Sequence, residues 1–226
     1  MIKVEKLNVK VKNNFLLKNV SFNIEKGVKC SLIGANGAGK TSLMNALLNI
    51  NENYEGTIKL NNINAKEFKC HKFIEFIPAD SLTFNTKTKR FLIDYYLLQE
   101  NNIKNALDRI NYLANFFKFS DFLLEKKISK LSSGEKQIVK IILAFLFVKE
   151  IIILDEPTNY LDFRMKALLF KLIKSNEFKN TTFLISSHEI LELKENTEYV
   201  IYLQNGEVKF TGKWNDFNFS KITNAF

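Results

Sequence analysis

Apolar and polar positions alternate from the first residues onward. Ile2 and Val4 keep period two, Leu7 and Val9 resume it one residue out of phase, and Val20, Phe22 and Ile24 alternate cleanly, which predicts strands. Gly27 predicts a turn, and Val28 to Ile33 is a short apolar run suited to a buried strand. That run ends at a glycine-rich loop, after which SLMNALLNI predicts a helix. Two further strands are predicted over Gly56 to Leu60 and Phe73 to Ile77, the second closed by Pro78. From about Lys87 to Glu125 the period changes. Phe91, Tyr95 and Leu98, then Ile103, Leu107, Ile110 and Leu113, recur at three and four, and strand signals vanish. A helix over Glu135 to Val148, an apolar strand over Ile151 to Leu154, a helix over Phe163 to Ile173 and a strand over Thr182 to Ile185 follow. A hairpin turning at Asn205-Gly206 closes the chain. Strands alternating with helices predict an α/β protein with a parallel sheet and right-handed crossovers, interrupted by an inserted helical subdomain.

Composition narrows the class. A chain of 226 residues that is 46% hydrophobic and 25% charged has ample material for one core. Its longest charge-free apolar run in a helical pattern, Ile141 to Val148, is far short of the about 20 residues a membrane span takes. MIKVEKLNVKVK alternates and contains no apolar h-region, so no signal peptide is expected. Cys30 and Cys70 have no CxxC spacing, and a reduced, cytoplasmic protein is expected. Lys and Arg number 33 against 24 Asp and Glu, a net charge of +9. No block of five or six like charges concentrates it. The excess reads as a compositional bias, and no nucleic-acid partner is expected. The 21 Phe fall mostly at apolar-periodic positions and read as core.

Three stretches carry chemistry. Gly34-Ala-Asn-Gly-Ala-Gly-Lys-Thr41 fits GxxxxGK[ST], follows an apolar strand and opens a helix. Glycines let backbone N–H groups wrap a phosphate chain, and the helix N-terminus points at the anion. Lys40 is placed to reach the β- and γ-phosphates of a nucleotide, and Thr41 to offer a hydroxyl to Mg²⁺. The strand Ile151 to Leu154 ends in Asp155 and Glu156. At a strand's C-terminal end Asp155 suits a hydrated Mg²⁺, leaving Glu156 to polarise a water for attack on the γ-phosphate. Leu131-Ser-Ser-Gly-Glu135 precedes a helix and by itself is also an ordinary helix N-cap.

The order of these stretches, continued by Tyr160-Leu161-Asp162 and an isolated His188, resembles an ATP-binding-cassette (ABC) ATPase domain over nearly the whole chain. The resemblance implies an α/β P-loop NTPase core with a mainly parallel sheet, an N-terminal antiparallel β subdomain and the inserted helical subdomain. All 226 residues would form a single domain, with the core over about 1–80 and 150–226 and the helical part over about 81–149. It implies a Walker A loop formed by Gly34, Asn36, Gly37, Ala38, Gly39, Lys40, Thr41 and Ser42, with Thr41 and Asp155 on Mg²⁺. Glu156 would be the catalytic glutamate and His188 the switch histidine at the γ-phosphate. Ser132, Ser133 and Gly134 resemble the signature loop that contacts ATP held by the other subunit, and Asp162 the aspartate at the dimer seam. His71 has no motif around it and is assigned nothing.

Three positions depart from the family pattern. Ala79 stands where the family usually has glutamine, with Asp80 as a possible substitute. The signature reads LSSGE rather than LSGGQ. The adenine-stacking aromatic falls near Val11, with Phe15 within reach or in the core. One cassette and no predicted span imply an ATPase subunit of an ABC transporter. It would pair head to tail with a second copy and bind separate transmembrane permease subunits on the inner face of the cell membrane. Phe91, Leu92, Tyr95 and Tyr96, within the segment Phe84 to Tyr96, are expected to supply that contact or to pack in the core. Ala79 and the short segment after Trp214 point to export of drugs, peptides or lipids. A soluble ABC ATPase acting on ribosomes, nucleic acid or an assembly scaffold is the alternative, since LDEPTNYLD also resembles translation-factor members. A small-molecule kinase would leave the signature loop and His188 without a role.

Overall fold

The alternation at the N-terminus folds as a hairpin. β1 (Ile2–Val11) pairs antiparallel with β2 (Asn14–Ile24), and the phase slip after Val4 is a register shift at which Lys6 takes a φ of 51°. The shift lets Ile2, Val4, Leu7 and Val9 all bury their side chains. After β3 (Lys29–Ile33), which joins a second sheet, β4 (Tyr54–Leu60) pairs antiparallel with β1, and β5 (Ile63–Asn64) with β4.

The second sheet adds β6 (Ile74–Ile77), β7 (Ile151–Leu154), β8 (Thr182–Ser186), β9 (Tyr199–Gln204) and β10 (Glu207–Lys213). Its order among the described residues is β10-β9-β3-β8-β7-β6. β3 runs parallel to β8 and β9, and β7 parallel to β8, while β10 folds back antiparallel on β9. Asn205 and Gly206 both have positive φ, as the predicted two-residue hairpin turn requires. β3, β7 and β8 are buried at every position, which is why they read as continuous apolar runs without alternation. α1 (Lys40–Leu47) adds Leu43, Met44 and Leu47 to the core cluster formed by the two sheets.

This computed structural model describes residues 1–11, 14–50, 53–67, 72–80 and 82–219. Cys70 and His71 lie outside the described residues. The chain divides into two compact units, Met1–Phe76 with Lys149–Glu156 and Asn180–Phe226, and Ile77–Val148 with Pro157–Lys179. The helix over Phe163 to Ile173, grouped with the core in the sequence reading, belongs to the second of these units. No helix of the described residues is long and apolar enough to cross a membrane.

The helical unit contains α2 (Thr88–Leu97), α3 (Ile103–Phe116), α4 (Asp121–Glu125), α5 (Ser133–Ala144) and α6 (Phe163–Ile173). Polar caps start four of them. The side chains of Asn102, Ser120, Ser132 and Asp162 accept backbone N–H groups of α3, α4, α5 and α6. α5 stops at Ala144, short of the predicted Val148. The Arg109 guanidinium donates to the Phe145 carbonyl at 2.6 and 3.0 Å and pairs with Glu177 at 2.7 Å. Phe145 itself turns edge-on against Phe178. The apolar run therefore continues past the helix end because Phe145, Leu146 and Phe147 are core in irregular backbone. Leu92 and Tyr96 are buried too, so of the four side chains expected to supply a partner contact these two are core. Phe84 is half exposed and stacks on Phe91.

One helix of the first unit has no period legible in the sequence: α7 (Ile190–Asn196), in which only Leu193 is buried. It is followed by a buried polar junction. The Thr197 hydroxyl donates to the Leu193 carbonyl at 2.8 Å and accepts from Trp214 Nε1 at 2.8 Å and from the Ser31 hydroxyl at 2.6 Å. Thr197→Val keeps the shape and takes away the acceptor of two buried donors. It should lower the unfolding free energy by about 2–4 kcal/mol, read as a shifted urea midpoint at unchanged slope. An unshifted midpoint would mean that Ser31 and Trp214 find other partners.

Candidate functional site

The glycine-rich loop leaves β3 and enters α1 without a side-chain cap. Its N-cap is Gly39 at φ 105°, in the left-handed region, and no acidic residue occupies the first turn, so the helix N-terminus is open to an anion. Gly34 is required by space: a Cβ there would stand 2.3 Å from the Leu203 carbonyl oxygen. Asn36 and Gly37 are exposed at the crest, Ala38 is buried beneath them, and Ser42 follows in the helix. Lys40 is 8% exposed, and its ammonium donates to the carbonyls of Gly34 at 2.8 Å and Ala35 at 3.4 Å. Burial pushes its pKa down, against the pull of Glu156 and Asp155.

The two carboxylates lie in the same unit. Thr41 Oγ1 donates to Asp155 Oδ2 at 3.0 Å, so the hydroxyl and carboxylate expected to share Mg²⁺ are adjacent. The other oxygen, Oδ1, accepts from Ser186 Oγ at 2.6 Å, and Ser186 Oγ in turn accepts the Glu156 N–H at 2.9 Å. Glu156 has a φ of 49°, uncommon outside glycine. Its Oε2 accepts the His188 N–H at 3.3 Å. His188 Nε2 stands 3.0 Å from Oε1, an ion-pair distance for a protonated ring but off hydrogen-bond geometry, so Oε1 has no hydrogen-bond partner. Burial raises the Glu156 pKa first of all, opposed by His188 and Lys40 and assisted by Asp155. A buried carboxylate of raised basicity, with no hydrogen bond on Oε1 and the His188 ring beside it, is equipped to accept a proton from water.

The helical unit holds the other predicted residues. Ser132 forms a full capping box with Glu135. The Glu135 N–H donates to Ser132 Oγ at 3.2 Å, and the Ser132 N–H to Glu135 Oε2 at 2.7 Å. The acid of LSSGE is therefore turned back onto its own helix. Ser132 and Ser133 are exposed and Gly134 is half-buried. Asp162 caps α6 through the Met165 N–H at 2.8 Å. Ala79 is exposed, and its carbonyl accepts from Lys140 Nζ at 3.1 Å. Asp80, Ser133, Lys136 and Gln137 line a shallow cavity with these two residues. In the first unit Val11 and Phe15 are both exposed, with Lys10 Nζ 4.3 Å from the Phe15 ring centre, so Phe15 is not core.

Lys40, Thr41, Asp155, Glu156 and His188 are thus brought together in one unit, while Ser132, Ser133, Gly134 and Asp162 share the other. Ser186 was not legible as a site residue, since a serine ending an apolar strand carries no signal of its own. Only the parallel register of β7 and β8 places it against the acids. The donor set fits a magnesium nucleotide. It offers a helix N-terminus with no side-chain cap, an ammonium satisfied only by loop carbonyls among the hydrogen bonds described, and a hydroxyl–carboxylate pair. Among the described residues no group of three or more His, Cys, Asp or Glu could hold a metal without such help.

Comparison with known proteins identifies the family. The sequence profile of the family described as ABC transporter matches residues 17–159. The energy-coupling factor transporter ATP-binding protein EcfA1 of Fusobacterium nucleatum is 31% identical over 219 residues, covering 94% of this chain and 82% of that one. The zinc import ATP-binding protein ZnuC of Buchnera aphidicola is 31% identical over 210 residues, covering 90% and 81%. Among solved structures, an ATP-binding cassette captured as a dimer in a post-hydrolysis state with ADP and Pi superposes with a TM-score of 0.79. It is 25% identical, and the match covers 96% of this chain and 100% of that one. With a family profile over more than half its length and such identity across most of both chains, the chain belongs to the ABC transporter family, as an ATP-binding ATPase subunit.

Proposed function

We propose that the chain powers transport by hydrolysing ATP as one of a head-to-tail pair of copies bound to separate membrane-spanning subunits on the inner face of the cell membrane. The observation that carries the reading is the gathering of Lys40, Thr41, Asp155, Glu156 and His188 in one unit. In this reading Gly34, Asn36, Gly37, Ala38, Gly39 and Ser42 wrap the phosphates with backbone and hydroxyl donors. Lys40 turns from its loop carbonyls to the β- and γ-phosphates. Thr41 and Asp155 hold Mg²⁺, which when bound neutralises charge on the phosphate oxygens. Glu156 takes a proton from the attacking water, and His188, whose Nε2 stands beside Oε1, keeps that carboxylate aimed and senses the γ-phosphate. Ser132, Ser133 and Gly134 at the start of α5 meet the nucleotide of the other copy, and Asp162 lies at the seam between copies. The neighbour solved as a dimer supports the pairing.

Export remains the direction we propose, on Ala79; the zinc relative carries import in its name. Accumulation of cargo inside or outside ATP-loaded vesicles holding the complete complex decides it. The half-exposed Phe84 and its stacked neighbour Phe91 are the contact proposed for the membrane partner, in place of the buried Leu92 and Tyr96.

Removing a general base costs about 10²–10⁴ in rate. Glu156→Gln should therefore bind ATP and Mg²⁺, hydrolyse more slowly by that factor, and accumulate as an ATP-bound dimer. Lys40→Ala should lose ATP affinity and remain monomeric with nucleotide. Gel filtration with ATP and a phosphate-release assay read both variants, and near-normal turnover by Glu156→Gln would remove it as the base. Tagged protein should retain a hydrophobic partner from detergent-solubilised membranes, and the Phe84→Ser chain should retain less of it. Salt-sensitive recovery of ribosomes or RNA instead would replace the transport reading.

A further inference from the structure

The role of Ser186 follows from what its single hydroxyl joins. It ends β8 with no exposure to solvent, in a sheet where Leu154 of β7 is level with Ile185. The next positions along the two strands are Asp155 and Ser186. On its other side Ser186 is level with Leu32 of β3, the strand that runs into the phosphate loop. A serine hydroxyl has one proton and two lone pairs. Here the proton goes to Asp155 Oδ1 at 2.6 Å and a lone pair takes the Glu156 N–H at 2.9 Å. One oxygen therefore fixes the carboxylate of one acid and the backbone of the next.

Each bond has a separate consequence. Tying Oδ1 to β8 turns Oδ2 toward Thr41 Oγ1, 3.0 Å away. Accepting the Glu156 N–H holds that residue at φ 49°, where a non-glycine residue resides only when its surroundings keep it there. Two residues further on, the backbone of His188 donates to the Glu156 side chain, so the acids are held from β8 and the residues just after it. An apolar residue at position 186 would leave a buried carboxylate oxygen and a buried N–H without this partner.

We propose that Ser186 is a positioning residue of the ATPase: its hydroxyl aims Asp155 at the metal and sets the backbone of Glu156. The proposal rests on the functional reading above. Loss of such supporting contacts behind a metal ligand costs about 10- to 100-fold in metal affinity or activity. Ser186→Ala should therefore raise the Mg²⁺ concentration for half-maximal hydrolysis by about tenfold or more, with metal-free affinity for a fluorescent ATP analogue kept within about twofold. Ser186→Thr restores the hydroxyl and should return the Mg²⁺ requirement to within about threefold of the original. Mn²⁺ bound with ADP, followed by electron paramagnetic resonance, reads the same metal affinity without turnover and should weaken in step. Ser186→Cys keeps the volume with a much weaker donor and carries the test if the alanine chain does not fold. A Ser186→Ala chain with a lowered melting temperature but unchanged Mg²⁺ and Mn²⁺ half-saturation overturns the proposal, as does a Thr chain that folds without rescue. If the unaltered protein bound neither nucleotide nor Mn²⁺ with ADP, the ATPase reading itself would fall. Ordinary binding by the unaltered protein with no effect of Ser186→Ala removes only the role of Ser186.

Discussion

A carboxylate at the end of a wholly buried strand is the constraint around which the site is built. β7 contributes four residues with no exposure at all, and Asp155 directly after them is 2% exposed. An ionised carboxylate at that depth costs several kcal/mol unless donors surround it. The donors come from two elements distant in sequence, Thr41 at the start of α1 and Ser186 at the end of β8. Both arrive there only because β3 and β7 flank β8 in parallel, which brings the phosphate loop and the acids out at the same C-terminal edge. The strand order of the core thus serves the same requirement as the donors of Asp155.

Glu156 shows where that stabilisation gives way to chemistry. It is nearly as buried as Asp155, yet it adopts a positive φ and leaves Oε1 without a hydrogen-bond partner. Such features persist in a folded chain only where neighbours hold them, and they concentrate at functional sites. The neighbours here are Ser186 on the backbone and His188 on the side chain. The raised pKa of Glu156 has the same origin, burial ahead of any charge.

What the sequence discloses depends on whether the signal is local. β7 and α6 coincide with their predicted limits because an uninterrupted run of isoleucines and a capped amphipathic stretch each contain their own boundaries. The phase slip between Val4 and Leu7 is legible for the same reason, and the fold makes it a register shift. The end of α5 is not legible because Phe145, Leu146 and Phe147 stay apolar beyond it and the Arg109 that binds the Phe145 carbonyl lies on another helix. α7 has one buried position and therefore no period to find. Lys40, Thr41, Asp155 and Glu156 stand out because each lies in a short motif beside an apolar strand, and His188 only through the family resemblance; the fold places all five in one unit. Ser186 and the Lys140 contact to Ala79 are long-range pairings, and no short window of residues contains both halves.

The chain leaves the sheet-bearing unit after Phe76, returns at Lys149, and leaves again after Glu156. β7 is thus much of the intervening passage, and Glu156 is the last residue before the chain enters the helical unit. Pro157, the next residue, has its carbonyl held by Gln137 Nε2 at 2.8 Å within that unit. A single peptide bond therefore joins a residue fixed by β8 to one fixed by α5. The hydrogen bond from the Glu156 N–H to Ser186 accordingly ties the backbone of the acid to β8 at the last residue of its own unit.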